Sequence, residues 1–356
     1  MEKKTPLYDL HVELKGNIVP FAGYLLPVYY PDGILVEHRL VRNKAGLFDV
    51  SHMGELILEG PDALANLQYL VTNDYRNLEI GSVRYGVLVK EDGTTIDDLL
   101  VYKMQEQKYF IVVNASNTDK DDAWIRSHLF GDVTLLNVSD DTGELALQGP
   151  LAKEILAKLC DDLPEKYYTF KEKVMVAGIE CLVSATGYTG EAGFEIYCQA
   201  DQTEKLFRAL LEAGKEEGLQ ACGLGCRDTL RLEAAMPLYG HELSEEITPI
   251  ESGLKTFVKL DKEKFIAQDA LSMTPKRRRI GLELVDRGIA REHTQVLVDG
   301  KEVGFVTSGT MSPTLGKAIA MAIVDIDKID APLFQLDVRG RILAAKRTPL
   351  PFYKRK

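Results

Sequence analysis

Between Tyr85 and Asn114 the chain reads YGVLVKEDGTTIDDLLVYKMQEQKYFIVVN. Three apolar runs, YGVLVK, IDDLLVYK and YFIVVN, are separated by EDGTT and MQEQK, which have room only for turns, and Asp92-Gly93 is a tight-turn pair. The segment predicts three strands of an antiparallel meander. In IDDLLVYK the two-residue period of a strand puts Ile96, Asp98, Leu100 and Tyr102 on one face, and Asp97, Leu99 and Val101 on the other. The two adjacent carboxylates must therefore point to opposite faces. Asp98, flanked by Ile96, Leu100 and Tyr102, is the one placed for partial desolvation, which makes a carboxylate a better proton acceptor. A strand-end aspartate that caps a turn is the plainer reading of the same residue.

Outward from this segment, strand-like runs are interrupted by helical ones. Asn117 to Leu129 carries Trp124, Ile125 and Leu129 at helical spacing, and Thr203 to Gly218 carries Leu206, Phe207, Leu210 and Leu211 along one stripe. Without regular βαβ alternation, this mixture favours an α+β fold over a doubly wound sheet. At Thr274 the character changes. TPKRRR reads as a linker whose basic run is a solvated face, and beyond it come short alternating runs such as TQVLVDGKEVGFVTSG, with Asp299-Gly300 marking a hairpin. The C-terminal part is expected to be mostly β.

A chain of 356 residues has room for two or three domains, and 45% hydrophobic with 27% charged residues is the composition of a folded protein rather than a collagen or a disordered chain. The five cysteines, Cys160, Cys181, Cys198, Cys222 and Cys226, contain no C-x-x-C pair and read as small buried hydrophobes in a reducing compartment. No stretch approaches the roughly 18 apolar residues of a membrane helix, so a cytoplasmic protein is expected. The net charge of −11 argues against nonspecific binding to nucleic acid. It is unevenly spread: 16 basic and 9 acidic residues from Lys276 onward give +7, leaving −18 on the first 275. Such a segment suits steering of an acidic partner or of an anionic ligand tail.

Among shorter motifs, ACGLGCRDTLRLEAA fails as a dinucleotide fingerprint because Asp228 stands at the third glycine position. The six histidines show no metal-ligand spacing, so no metal is expected, and His52 reads as a core or turn residue. In ATGYTGEAGFEIY, Gly187, Gly190 and Gly193 surround Tyr188, Glu191 and Glu195, a spacing that suits tight turns and close backbone approach to a flat ligand. Arg227 and Arg231, four apart on one helix, share a face and suit either a joint grip on a carboxylate or a surface ion pair.

Taken in order, FAGYLLPVYY, AGLFDVSHMGE, GTTIDDLLVY, VVNASNTDKD, ALQGP, ATGYTGEAGFE, GLGCRDTLRLEA, LYGHEL, TPIESGL and TSGTMSPTLGKAIAMAIV resemble the T-protein family of the glycine cleavage system, the tetrahydrofolate-dependent aminomethyltransferases. The resemblance runs from the first residues to the final PFYKR. It implies a three-domain cloverleaf of α+β class, in which two intertwined α+β lobes form a folate-binding unit over residues 1–275 and a C-terminal β-barrel follows over 276–356. It further implies transfer of a one-carbon unit from the aminomethyl-dihydrolipoyl arm of the lipoylated H-protein to tetrahydrofolate, giving 5,10-methylenetetrahydrofolate and ammonia, in a cytoplasmic monomer without a metal.

By the same resemblance the catalytic aspartate is the second of the D-D pair, Asp98. The folate contacts carried over by position are Met53, Tyr85, Leu100, Tyr102, Val112, Asn114, Tyr168, Tyr188, Glu195 and Arg227. The residue types are chemically apt. A glutamate accepts two adjacent N–H donors of a pterin edge, tyrosines and methionine supply flat or polarizable walls, and an arginine meets an anionic or polar group. The sequence departs from the family at Tyr24 and Thr256, where tryptophan is usual, and at Thr94, where a second glycine is common. The K-G-C-Y-x-G-Q-E motif of the folate-binding iron–sulfur assembly relatives is absent, and there is no room for the flavin domain of the dimethylglycine and sarcosine oxidising enzymes.

Overall fold

The computed structural model describes residues 2–355 and sets the 85–114 segment into a five-stranded sheet, in the order Val83–Val89, Thr95–Gln105, Lys108–Val113, Gly54–Glu59, Thr134–Asn137. The first three strands are the expected meander. Its first turn closes as its residues dictate: Gly93 takes φ 88°, Lys90 N–H donates to Thr94 O at 2.9 Å, and Thr94 donates its hydroxyl (2.6 Å) and its amide (3.0 Å) to the Asp92 carboxylate. Thr94, where the family favours glycine, thus locks the turn by its side chain. Asp97, Leu99 and Val101 are fully buried on one face, while Asp98 and Leu100 are half-buried on the other. Ile96 and Tyr102 are buried on the face they share with Asp98, so burial is heavy on both faces and eases only at the middle of that one.

The chain forms two units. The first holds the residues up to Leu67, Tyr75–Tyr85 and Leu99–Asp228; the second holds Gln68–Asp74, Gly86–Asp98 and Thr229 onward. The first unit contains a six-stranded sheet in the order Phe170–Val176, Ile179–Ser184, Gly193–Gln199, Thr142–Gln148, Gly46–Asp49, Gln220–Ala221. Its central strands alternate strictly. Leu145, Leu147, Val183, Phe194 and Ile196 share a core with Leu206, Phe207 and Leu210 of the helix Thr203–Ala213, whose stripe is the one expected. Each such side chain contributes about 1.5–3 kcal/mol on full burial. The helix stops earlier than the expected Gly218, because Gly214 caps it and Gly218 takes φ 77°. The opposite face carries Glu144, Glu195, Tyr197 and Ser184: Glu144 pairs in register with Tyr197, and Glu195 with Ser184.

In the second unit six strands close into a barrel, ordered Arg277–Leu284, Ala318–Asp325, Lys301–Met311, Gln295–Val298, Phe334–Val338, Arg341–Thr348, with the last pairing back to the first. Asp299 (φ 51°) and Gly300 (φ 74°) make the expected hairpin turn, both residues left-handed as such a turn requires. Ala320, Ala322, Phe334 and Leu336 fill the interior. One expectation fails here. The basic run is the start of the first barrel strand rather than a solvated linker. Arg277 donates to Glu251 Oε1 at 3.0 Å and to Glu246 O at 2.7 Å, and Arg279 N–H donates to Glu251 O, leaving Arg278 as the exposed member of the three. Consecutive like charges are tolerated because the strand alternates their directions and a buried glutamate neutralises one of them.

A candidate folate site in the first unit

The face of the six-stranded sheet that bears Tyr197 and Leu182 packs with Tyr102, Phe110 and Val112 of the five-stranded sheet, and Met53, Leu100 and Tyr168 join the same apolar cluster. Five expected folate contacts, Met53, Leu100, Tyr102, Val112 and Tyr168, are therefore gathered in one place. Leu100 and Val112 are cross-strand partners, which fixes their side chains on the same face. Tyr168 holds φ 62°, an uncommon conformation for a tyrosine, and its backbone is tied on both sides: its amide donates to Ala185 O (3.0 Å) and its carbonyl accepts from Val83 N–H (2.9 Å). Asn114 follows the strand Lys108–Val113 at the start of a short turn and is half-buried, as are Tyr85 and Tyr188. Asp98 is the last residue of the second unit's Gly86–Asp98 segment and precedes Leu99 on the continuous strand Thr95–Gln105.

At the polar end of the cluster Glu195 is buried, and its Oε2 accepts the Thr186 hydroxyl at 2.5 Å. Burial pushes its carboxyl above the usual range, while the Thr186 hydrogen bond and the positive charge of Arg227 work against that rise. Arg227 lies over the Tyr188 ring at 4.8 Å. Among the described residues its buried Nη1 has no hydrogen-bond partner, a costly condition for a guanidinium nitrogen unless a ligand meets it.

Several expectations are redistributed. Gly187 and Gly193 are small because of Gln148: a Cβ at either would lie 2.0 or 2.5 Å from its amide, which donates to Thr186 O and accepts from the Thr189 hydroxyl. Only Gly190 of the three has positive φ (80°). The spacing thus serves packing of the ALQGP glutamine rather than close approach to a flat ligand. Glu191 pairs with Arg42 at 2.9 Å. Arg231 belongs to the second unit, where it is buried and paired with Glu242 at 2.8 Å and Ser308 Oγ at 2.8 Å. It is a structural ion pair, and Arg227 does not share its task.

His52 and the cysteines are buried as read from the sequence, whereas two buried acids emerge only from the structure. His52 is buried against the rings of Phe21 and Tyr24, and burial, together with the Arg227 charge, lowers it to about 4 against the opposing pull of Asp49, so its ring is neutral at physiological pH. Glu55 and Glu144 are buried acids; both oxygens of Glu55 and one of Glu144 lack hydrogen-bond partners among the described residues. Burial raises both carboxyls well above their usual range, and each is raised further by a neighbouring acid, Glu144 for Glu55 and Glu195 for Glu144. All five cysteines are buried free thiols. Cys222, Cys226 and Glu37 place their ligand atoms within 4.8 Å of one another, but both Glu37 oxygens already accept backbone amides, from Tyr30 (2.6 Å) and Gly223 (2.9 Å). No helix of the described residues is long and apolar enough to cross a membrane.

The chain is similar to known proteins along nearly its whole length. Residues 7–262 match the family model of the GCVT N-terminal domain, and residues 277–354 match that of the glycine cleavage T-protein C-terminal barrel domain. Aminomethyltransferases of Geobacillus sp. (strain WCH70) and Anoxybacillus flavithermus are each 48% identical, with full coverage of both chains, and that of Bacillus cereus (strain B4264) is 47% identical over 99% of this chain and 98% of its own. The crystal structure of the glycine cleavage system aminomethyltransferase T from Bartonella henselae superposes with a TM-score of 0.92 at 32% identity, covering 100% of this chain and 99% of that one. With both family models matched in order along nearly the whole chain, the chain belongs to the glycine cleavage T-protein family of aminomethyltransferases.

Proposed function

We propose that the protein moves a one-carbon unit from the aminomethyl-dihydrolipoyl arm of a lipoylated H-protein to tetrahydrofolate, yielding 5,10-methylenetetrahydrofolate and ammonia. The observation that carries this reading is the junction of an apolar wall, built from Met53, Leu100, Tyr102, Val112 and Tyr168, with a buried acceptor, Glu195, and a guanidinium nitrogen lacking a partner, Arg227. That donor and acceptor set fits a reduced folate. Glu195 has one oxygen engaged by Thr186 and takes the pterin's adjacent N–H groups, the apolar wall receives the ring faces, and Arg227 meets a polar or anionic group. Tyr85, Asn114 and Tyr188 complete the contacts.

The folate supplies the nitrogen that accepts the carbon. Asp98, on the face shared with Leu100 and Tyr102, provides the anion beside the cationic centre left as the carrier thiolate departs, and it takes up the proton from the accepting nitrogen. In this reading residues 1–275 serve folate binding, residues 276–356 form the barrel domain, and the enzyme works as a cytoplasmic monomer, without a metal or nucleic acid. The test is binding of a stable reduced folate measured by calorimetry on the full chain and on Arg227→Ala. Weakened binding in the variant is expected, and equal binding removes Arg227 from the site.

A further inference from the structure

Residues 185–192 join the strands Ile179–Ser184 and Gly193–Gln199 and carry Tyr188, the ring on which the Arg227 guanidinium lies. Gly187 and Gly190 would leave such a connection wide backbone freedom. It is instead held by two side chains from outside it. Gln148, at the end of the strand Thr142–Gln148, donates its amide to Thr186 O at 3.1 Å and accepts the Thr189 hydroxyl at 3.0 Å, so its two bonds bracket Tyr188. Arg42, in the helix Ile34–Asn43, donates through one nitrogen, Nη1, to Thr189 O at 2.7 Å and to Glu191 Oε1 at 2.9 Å. Glu191 N–H in turn donates to Thr189 Oγ1 at 3.2 Å, and Gly149 N–H donates to Ala192 O at 2.8 Å.

The same hold reaches both polar ends of the candidate site. Thr186, tied through its carbonyl to Gln148, gives its hydroxyl to Glu195, and Tyr188 lies under Arg227, whose buried Nη1 has no partner among the described residues. The Arg42 and Glu191 side chains are each only 5% exposed. Desolvating two charges costs about as much as their attraction returns, so a buried pair is often no more stable than apolar side chains of similar volume. What this pair adds is direction: it fixes a backbone carbonyl and a side chain of the connection at one point.

We propose that Arg42, paired with Glu191, and Gln148 are positioning residues for folate recognition. They lock residues 185–192 so that Tyr188 carries Arg227 with its Nη1 turned to the ligand. This rests on the reading that Arg227 meets the folate. Released from the two holds, the connection samples other conformations, and folate must order it on binding, which lowers affinity. The reacting atoms are not touched, so the loss falls on binding more than on the chemical step.

The test is calorimetry of 5-formyltetrahydrofolate binding, with ammonia release at saturating folate, on the full chain bearing Arg42→Met together with Glu191→Leu. Replacing both partners strands no buried charge. Affinity is expected to fall roughly tenfold, the scale of ordering a loop side chain on binding, while saturated turnover changes less. Arg227→Ala locates the effect. In that background the same two replacements should weaken binding by less than about twofold, because the group they position is gone. Gln148→Met, which removes the other hold, is measured in the same cycle and guards against a folding defect in the first variant. Parent-like affinity in either variant, or an equal loss with and without Arg227, overturns the positioning role. Arg227→Ala alone keeps the two ideas apart: undiminished affinity there overturns the placement of Arg227 against folate.

Discussion

Replacing the two aspartates of the Thr95–Gln105 strand one at a time by asparagine separates chemistry from stability, because burial differs so sharply between them. Asp97 is 0% exposed and engaged by partners, whereas Asp98 is half-buried on the opposite face. Asp97→Asn leaves buried partners of a carboxylate facing an amide, at a cost of about 1–3 kcal/mol. At about 2–4 °C per kcal/mol for a unit of this size, the thermal midpoint falls by roughly 2–12 °C. Asp98→Asn removes a positioned anion and proton acceptor, so turnover should drop by about 10²–10⁴-fold with little change in midpoint. Calorimetric melting and ammonia release at saturating folate give both quantities on the same samples. If Asp97→Asn, corrected for its folded fraction, slowed turnover more than Asp98→Asn, the strand parity would stand but the assignment of the catalytic carboxylate would be wrong.

Glu195→Gln should weaken binding of a stable reduced folate by about 1–3 kcal/mol, roughly 5–150-fold, because the amide turns one acceptor into a donor facing a donor; saturated turnover should change less, and titration calorimetry reads the difference. Arg231→Met should cost about 3–5 kcal/mol by stranding buried Glu242, a loss visible in denaturant melts, while folate affinity per folded molecule stays level. Glu55→Gln should stabilise the protein increasingly as pH rises. A carboxyl whose folded pKa lies above its ordinary value near 4.5 contributes stability below that value and loses it as pH rises toward the folded pKa. The gain over the parent should therefore grow by about 1.4 kcal/mol per pH unit in that window, and a gain that is flat with pH would show Glu55 to be ionised in the folded state.

The meander, the helix stripe at Leu206, Phe207 and Leu210, and the Asp299-Gly300 hairpin were legible because each is set by local period or turn chemistry. So was the split between Asp97 and Asp98. The basic run misled, since consecutive charges look solvated when read singly, and only the partner Glu251, far along the chain, makes Arg277 part of a strand. Arg227 and Arg231 share a helix, but their environments are set by Tyr188 for one and Glu242 for the other, which spacing does not encode. Glu144 carried a faint signal: in GELALQ it alternates with Leu145 and Leu147, so it falls on the face opposite the core. That this face is the one shared with Glu195 depends on register with Tyr197, a long-range pairing that no window of sequence contains.

The most direct measurement is ammonia release on incubating the full chain with tetrahydrofolate and H-protein loaded with the aminomethyl group. Ammonia and 5,10-methylenetetrahydrofolate should appear in equal amounts, only when folate is present, and should be sharply reduced by Asp98→Asn. Ammonia without a matching folate product, or product formation that Asp98→Asn leaves untouched, would contradict transfer of the carbon to folate at this site.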